Sequence, residues 1–137
     1  MNITEIPFVK KVGVKQSATG DLALPMEPSV SNHLNTIHAG AQFTLAEAAS
    51  GKLLLESFPE LEGKVVPVLR DSQIKFKRPA ESSITAYPTM SAESASALRD
   101  QLGRKGRGSI EINVEIRDAN DRVTCVGMFK WFIQSIT

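Results

Sequence analysis

The feature that most constrains the fold is one helical segment that is apolar almost all the way round. Residues 40 to 51 read GAQFTLAEAASG, and Glu47 is the only charged residue among them. Apolar and small side chains recur at helical spacing on both sides of this stretch, which predicts a helix over residues 39 to about 57, ended by Pro59. A helix covered in this way has to be enclosed by a sheet.

The segments on either side of this helix have mainly strand composition. A hairpin is predicted from residues 8 to 14 and 21 to 26, around the turn at residues 18 to 20. Residues 27 to 38 are polar and rich in turn formers, which predicts a loop. Further strands are predicted at residues 64 to 69, 72 to 77, 83 to 91, 109 to 117 and 122 to 134. Residues 93 to 108 are charged and punctuated by glycine, so we expect a connection with at most one helical turn.

One strand carries a clear alternation. Ile110, Ile112, Val114 and Ile116 share one face, and charged or polar residues separate them. This pattern predicts an antiparallel sheet with one wet face. Strands, one long buried helix and then further strands make an α+β fold, in which a curved antiparallel sheet wraps a single central helix.

Composition restricts the class of protein further. The chain has 137 residues, 42% of them hydrophobic, which is enough for a single domain over residues 1 to 137. Its formal net charge of +1 gives no reason to expect nucleic acid or an anionic membrane surface as a partner. Cys125 is the sole cysteine, which excludes an internal disulfide. No apolar run reaches about 18 residues, so we expect a cytoplasmic protein without a membrane span.

The candidate site starts from Glu47, because burying a carboxylate costs several kcal/mol unless something uses or pairs it. His38 stands nine residues earlier, where the helix should begin, and small residues follow it. Small side chains leave the first backbone N–H groups of a helix open to a ligand. A structural role for Glu47, paired with a loop donor, is the competing interpretation.

The segments NHLNTIHAGAQFTLAEAASG and QIKFKRPAES resemble the phenylacetate-pathway type of acyl-CoA thioesterase, which has the hot-dog fold. The resemblance implies that Asn32, His38, Ala39 and Glu47 form the catalytic site, with Ala39 in place of the usual glycine. It also implies acyl-CoA as substrate, a homodimer, and no metal or other cofactor. A dimer of dimers, that is a homotetramer, stays open.

Helix geometry makes the dimer necessary for such a site. Ala39 and Glu47 lie eight residues apart on one helix, which places them roughly 12 Å apart along its axis at 1.5 Å per residue. A catalytic group has to approach its target to about 3 Å, so one carbonyl group cannot contact both residues of one subunit. A two-fold dimer with antiparallel helices would form two equivalent sites.

Each residue then has an expected role in thioester hydrolysis. Ala39 N–H, with Gly40 N–H, would bind the developing oxyanion, and Glu47 of the partner subunit would activate water or attack the carbonyl. His38 would hold the thioester oxygen or the loop, and Asn32 would orient water or substrate. Predicted substrate contacts are Phe43 and Leu54, which would also raise the pKa of Glu47, together with Gly40, Ser50, Gly51 and Arg78.

Some positions stay open at this stage. Some members of the family have a further Ser or Thr from the partner subunit. The equivalent position here stays open, and Leu69, Ser72, Ser50 and Gly51 lie in or near the regions where it could fall. Arg78 and Lys77, with a second basic group at residues 104, 105 and 107, would bind the phosphates of coenzyme A, although a solvated loop is the favoured interpretation. Cys125 lacks a His or Cys at ligand spacing, which argues against a metal or nucleophile role.

Two other functions remain compatible with the sequence. The first is a hydratase or dehydratase that acts on an acyl thioester, with His38 and Glu47 as acid and base. The second is a non-catalytic acyl-CoA-binding protein that has kept the pocket, which the alanine at position 39 leaves open. The acyl group cannot be deduced from a linear sequence.

Overall fold

The computed structural model describes residues 1–136 and shows a six-stranded antiparallel sheet with one long helix against it. The helices are α1 (Pro7–Val12), α2 (Ala39–Ser57) and α3 (Ala92–Lys105), and short 3-10 turns occur at Ile3–Glu5, Pro28–Val30 and Pro59–Leu61. The strands are β1 (Lys15–Gln16), β2 (Leu22–Leu24), β3 (Val65–Phe76), β4 (Ile84–Thr89), β5 (Arg107–Arg117) and β6 (Val123–Ser135). The predicted α+β class is confirmed.

The strand order β1-β2-β4-β5-β6-β3 brings the last strand into the middle of the sheet and leaves β3 at an edge. Every neighbouring pair is antiparallel. In register, Ile112 of β5 lies opposite Phe129 of β6, and Ser72 of β3 lies opposite Phe129 on its other side. Because side chains alternate along each strand, the residues of this row share the face that carries the core.

The predicted central helix is confirmed as α2, from Ala39 to Ser57. Ten of its residues are buried, including Leu45 and Ala46, which have no exposed surface. Solvent reaches its two ends: Ala39 and Gly40 are exposed at the start, and Lys52 and Glu56 form an ion pair near the C-terminal end. The alternation predicted in β5 is also confirmed, since its four aliphatic residues from 110 to 116 are all buried.

Two predicted elements were wrong. Residues 8 to 12 belong to the helix α1 and not to a strand, because Pro7 occupies the first turn and Gly13, at φ 98°, ends the helix in the left-handed conformation. The hairpin instead uses β1 and β2 around the same turn, with Lys15 opposite Ala23. Its strands are therefore shorter than predicted.

The second error concerns residues 93 to 108, predicted as a connection with at most one helical turn. They contain the 14-residue helix α3, capped by Ser91, whose side chain accepts a hydrogen bond from the Ser94 N–H, and ended by Gly106 at φ 71°. Leu98 is fully buried against β5, where an added Cβ at Gly108 would meet it at 3.1 Å. One apolar residue per turn was enough to dock a helix whose remaining surface is polar.

The two strands predicted at residues 64 to 69 and 72 to 77 are one strand, β3. An irregularity in register between Leu69 and Asp71 interrupts its pairing with β6. One extra residue, Arg70, is accommodated there, and its guanidinium lies 4.3 Å from the centre of the Phe132 ring. Residues on either side of this bulge therefore keep facing the core side.

Candidate functional site

The start of α2 is organised by the His38 side chain, which caps the helix. His38 Nδ1 accepts a hydrogen bond from the Gly40 N–H at 2.8 Å, while its own backbone N–H donates to the Val30 carbonyl at 2.8 Å. An added Cβ at Gly40 would come within 3.1 Å of His38 Nδ1, so the absence of a side chain there lets the imidazole fold back over the helix. The predicted role of the Gly40 N–H as an oxyanion donor is therefore not available in this protomer, since the ring already uses it.

A single N–H of the first helical turn remains open. The N–H groups of Ala41 and Gln42 both donate to the His38 carbonyl, at 3.0 and 3.1 Å. Within residues 1–136, the Ala39 N–H has no acceptor, and Ala39 itself is exposed. The positive end of the helix dipole and a free donor thus coincide at Ala39.

Glu47 is half-buried two turns further along α2. Its burial raises the pKa of the carboxyl group above the usual range, and desolvation is the cause. Among residues 1–136 no cation and no hydrogen-bond donor contacts this carboxylate. The competing interpretation of Glu47, a structural carboxylate paired with a loop donor, finds no such donor in the protomer.

An aromatic pair lies next to Glu47. Phe43 precedes Glu47 by one helical turn, on the same side of α2, and contacts Phe129 edge to face, with ring centres 5.5 Å apart. The Phe129 ring occupies the space over Gly127, where an added Cβ would come within 2.8 Å of it. The sequence identified Phe43 but not Gly127, because the Phe129 ring reaches Gly127 of the same strand only in the orientation in which it packs against Phe43.

Three predicted substrate contacts lie in the interior of the protomer. Ser50 has no exposed surface; its hydroxyl donates to the Glu47 carbonyl at 2.7 Å and accepts from the Trp131 Nε1–H at 2.9 Å. Gly51 makes room for the same indole ring, 3.4 Å from its would-be Cβ, and Leu54 is buried. These residues position the turn of helix that carries Glu47 and have no surface to offer a substrate in this protomer.

The link between Trp131 and Ser50 was also missed, although the sequence held a signal for it. A buried indole N–H needs an acceptor, and hydroxyl groups on the central helix are few. Which hydroxyl the indole N–H reaches follows from the packing of β6 on α2.

Asn32 organises the loop that leads into α2. Its side-chain oxygen accepts from the N–H groups of Leu34 and Thr36, at 2.9 and 3.1 Å, and its amide nitrogen donates to the Thr36 hydroxyl at 2.8 Å. Ile37 N–H then donates to the Ala80 carbonyl at 2.8 Å, which ties the loop to the chain after β3. Asn32 thus holds the loop before His38.

The two basic groups considered as phosphate ligands lie far apart. Arg78 and Lys77 follow the end of β3, close to the helix start through the contact between Ile37 and Ala80. Arg107 begins β5 at the opposite end of the sheet, opposite Gln134 of β6. Phe76, the last residue of β3, lies opposite Cys125 of β6. The nine residues from Cys125 to Gln134 separate the two basic groups by roughly 30 Å. Within one protomer, only the first group lies at the same end as His38.

Other groups have less to offer chemically. Cys125 is buried, which raises the pKa of its thiol to about 11 and leaves it unreactive near neutral pH. No cluster of three His, Cys, Asp or Glu side chains suited to a metal ion occurs among residues 1–136. Over the same residues, no helix combines the length and apolar character needed to cross a membrane.

β3 is the longer of the two edge strands of the sheet. It is 12 residues long, pairs on one side with β6 only, and exposes Val66, Val68 and Phe76 by 44%, 50% and 45%. A long apolar edge strand presents unpaired backbone donors and acceptors to another strand. Of the two sheet edges, β1 and β3, the long β3 edge is thus the better suited to pair with a second copy of the sheet.

Solved structures share this fold. The protein PA5026 of Pseudomonas aeruginosa, described as a probable thioesterase, has a TM-score of 0.84 and 26% sequence identity, over 97% of this chain and 91% of that one. Thioesterase HI1161 of Haemophilus influenzae has a TM-score of 0.75 and 20% sequence identity, over 98% of this chain and 87% of that one. BH2602 of Bacillus halodurans, solved with CoA, has a TM-score of 0.71 and 18% sequence identity, over 92% of this chain and 74% of that one. The predicted hot-dog fold is confirmed.

At the level of sequence, no curated protein is significantly similar to this chain. The phenylacetate-pathway type therefore stays a prediction. A family profile matches residues 6–133, which include both ends of the candidate site and the whole sheet except the last two residues of β6. The chain accordingly belongs to the family of DUF4442, a domain of unknown function.

Proposed function

We propose that the protein hydrolyses an acyl-CoA thioester to a free acid and coenzyme A. The observation that carries the proposal is Glu47, a half-buried carboxylate with a raised pKa and no partner among residues 1–136. A group in this state is suited to accept a proton or to attack a carbonyl, and such groups concentrate at functional sites. Two structures of the same fold support the reaction class: PA5026, described as a probable thioesterase and 26% identical to this chain, and thioesterase HI1161.

The proposed site uses two subunits. Within one protomer, the free Ala39 N–H and the Glu47 carboxylate are separated by roughly 12 Å along α2 and by about 80° around it. Two protomers related by a two-fold axis would bring Ala39 of one close to Glu47 of the other. The open edge of β3 supports this assembly, because pairing two such edges would continue the sheet and cover Val66 and Val68.

The reaction follows from these two groups. The carbonyl oxygen of the thioester would accept a hydrogen bond from Ala39 N–H, whose helix-start position favours the negative charge that develops there. Glu47 of the partner subunit would take a proton from water as the new C–O bond forms. The C–S bond then breaks, and the departing thiolate takes that proton. Direct attack by the carboxylate, through an anhydride that water then hydrolyses, uses the same geometry.

Substrate binding would engage the surroundings of both groups. Phe43, which the buried Phe129 ring supports from behind, would form an apolar wall beside Glu47 and keep the acyl group near the carboxylate, whose pKa burial raises. Arg78 would contact the phosphates of coenzyme A, since it lies at the same end of the molecule as Ala39. The CoA complex of BH2602 supports a CoA ligand for this fold.

A test of the proposal measures free-thiol release from acyl-CoA esters that range from acetyl to palmitoyl and include phenylacetyl. Purified protein is compared with Glu47→Gln, which keeps the size of the side chain and removes the charge. We expect release by the native protein and loss of turnover by orders of magnitude in the variant, with both proteins dimeric by sedimentation. Release that is unchanged by the substitution would contradict the role of Glu47.

The same panel separates the alternatives. An acyl-CoA-binding protein without turnover would release no thiol. Calorimetry would show that it binds the esters and that its affinity is unchanged by Glu47→Gln. A hydratase would consume the ultraviolet absorbance of an enoyl thioester. His38 would have to act there as acid or base, and its Nδ1 is already occupied by Gly40 N–H.

A further inference from the structure

The Glu47 side chain leaves α2 between two aromatic contacts. One helical turn before it, Phe43 packs edge to face on Phe129 of β6, with ring centres 5.5 Å apart. One turn after it, Ser50 accepts a hydrogen bond from the Trp131 indole at 2.9 Å. Phe129 and Trp131 are two residues apart on β6, so the two rings stand side by side on the core face beneath this part of α2.

The gap between these two rings is too narrow for an acyl chain. Phe129 and Trp131 begin roughly 6.6 Å apart along β6, since a strand rises about 3.3 Å per residue. Carbon atoms in contact lie about 3.5–4.0 Å apart, so a methylene chain between two rings would need about 7–8 Å. Phe129 has no exposed surface, and Trp131 is only 8% exposed. The protomer is therefore closed beneath Glu47, and an acyl group cannot extend into the core below α2.

Two glycines and one serine fix the rings in these positions. Gly127 leaves room for the Phe129 ring, which an added Cβ would approach to 2.8 Å, and Gly51 leaves room for the Trp131 ring at 3.4 Å. The hydrogen bond to Ser50 sets the direction of the indole. Because the rings are close-packed in the core, neither can turn aside for a longer acyl chain without a loss of packing.

The space left for an acyl group lies on the β3 side of Glu47. α2 packs mainly over β4 and β5, so β3 lies beyond the part of the sheet that the helix covers. Leu69 of β3 lies opposite Trp131, Ser72 lies opposite Phe129, and both β3 residues are half-buried. Leu69 and Ser72 thus form a shallow β3 shelf beside the carboxylate. The shelf is one strand wide, or about 4.8 Å, which suits a few carbon atoms.

We infer that the site accepts only compact acyl groups of a few carbon atoms, because Trp131 and Phe43, with Phe129 behind it, close the site toward the core. The inference rests on the proposed hydrolysis of an acyl-CoA thioester and names its substrate class. Phe43 contacts the acyl group directly. Phe129 sets the specificity from behind Phe43, and Gly127 and the Ser50 hydroxyl are positioning groups that hold the two buried rings.

A first experiment measures kcat/KM for thiol release along the straight-chain series from acetyl-CoA to palmitoyl-CoA. We expect the highest values among the shortest members, and a fall of about tenfold for each methylene group added beyond the one that fills the β3 shelf. A native protein that releases thiol from palmitoyl-CoA as fast as from butyryl-CoA overturns the inference and leaves the hydrolase intact.

Two variants of the same strand separate a role in specificity from a role in stability. Phe129→Leu removes the ring behind Phe43, which can then turn back and deepen the site. We expect the ratio of kcat/KM for octanoyl-CoA to that for butyryl-CoA to rise by about tenfold. Phe132→Leu is the matched control and should keep the native ratio, because Phe132 lies on the outer face of β6 beneath Arg70. A loss of activity in Phe129→Leu that is equal for both esters shows a purely structural role and overturns the inference.

Trp131 allows a measurement that needs neither turnover nor a variant. It is the only tryptophan of the chain, so the intrinsic tryptophan fluorescence reports on the wall of the site. The probes are non-hydrolysable alkyl thioethers of coenzyme A, from ethyl to hexadecyl. We expect short alkyl chains to shift the emission and to bind at least about tenfold more tightly than long ones. Equal affinity at every chain length, or a shift with coenzyme A alone that no alkyl chain increases, overturns the inference.

The results separate the inference from the function on which it rests. Thioether binding that favours short chains, in a protein that releases no thiol, contradicts the hydrolase and supports the closed acyl site. A native protein that neither releases thiol nor binds any thioether overturns both.

Discussion

The proposed two-subunit site predicts that two inactive variants restore each other. The first variant is Ala39→Pro, which deletes the one free N–H of the first turn. Ala39 is the first residue of α2, a position where proline is favoured, and His38 before it has ψ 140°, the extended conformation that a residue preceding proline adopts. The helix should therefore persist. The second variant is Glu47→Gln, which keeps the volume of the side chain.

The expected recovery follows from the geometry. Each homodimer of one variant has two defective sites, and loss of one oxyanion donor alone lowers kcat by about 10²–10³-fold. Random mixing makes half of the dimers heterodimers. Each heterodimer combines native Ala39 and native Glu47 in one of its two sites, because the two groups come from different subunits. Mixing should thus restore about one quarter of native activity per dimer.

The assay is thiol release after the two proteins are unfolded together in urea and refolded by dilution. A matched mixture contains the native chain and a chain with both substitutions. If the site spans two subunits, this mixture also has about one quarter of native activity, because its heterodimers contain no intact site. If one subunit supplied the whole site, the first mixture would show none and the second about one half, and the reasoning would be refuted.

Three further predictions concern stability. Glu47→Gln should stabilise the fold near neutral pH, because burial raises the folded-state pKa of Glu47. The gain in stability is absent below the unfolded pKa of about 4.3 and grows as pH rises through the folded pKa. Melting temperatures at several pH values would show it. Ser50→Ala leaves the buried Trp131 N–H without its acceptor and should cost about 1–3 kcal/mol of unfolding free energy in urea titrations. Gly127→Ala places a Cβ 2.8 Å from the buried Phe129 ring and should cost about 1–3 kcal/mol by the same titrations.

Matched controls exist for two of these changes. Ser96→Ala alters an exposed serine of α3, and Gly103→Ala adds a methyl group where nothing lies within 4 Å. Ser96→Ala should leave the unfolding free energy nearly unchanged, and Gly103→Ala should raise it by about 0.5–1 kcal/mol, because alanine is favoured over glycine inside a helix. Equal losses in Ser50→Ala and Ser96→Ala would show that the hydrogen bond to Trp131 contributes little.

Local pattern was a good guide where one element carried a strong signal. The length of α2, its burial and the position of Glu47 within it could all be predicted. A buried helix and a half-solvated strand leave different apolar patterns in the sequence. α3 was predicted wrongly because its polar surface hides Leu98, the buried residue that docks it, and α1 because its Phe and Val residues have strand composition although Pro7 and Gly13 bound a helix. The order of the strands could not be predicted, since it depends on long-range pairing.

The sequence by itself determined that a largely apolar helix lies inside the protein, with a histidine at its start and a carboxylate two turns further along, because apolar burial and helical period are properties of neighbouring residues. Only the tertiary structure decided that Ser50 and Gly51 face Trp131, that Gly40 N–H belongs to the His38 ring, and that β3 is left at an open edge. Those outcomes depend on which segments meet across the fold, and distances between groups far apart in the chain are set by packing.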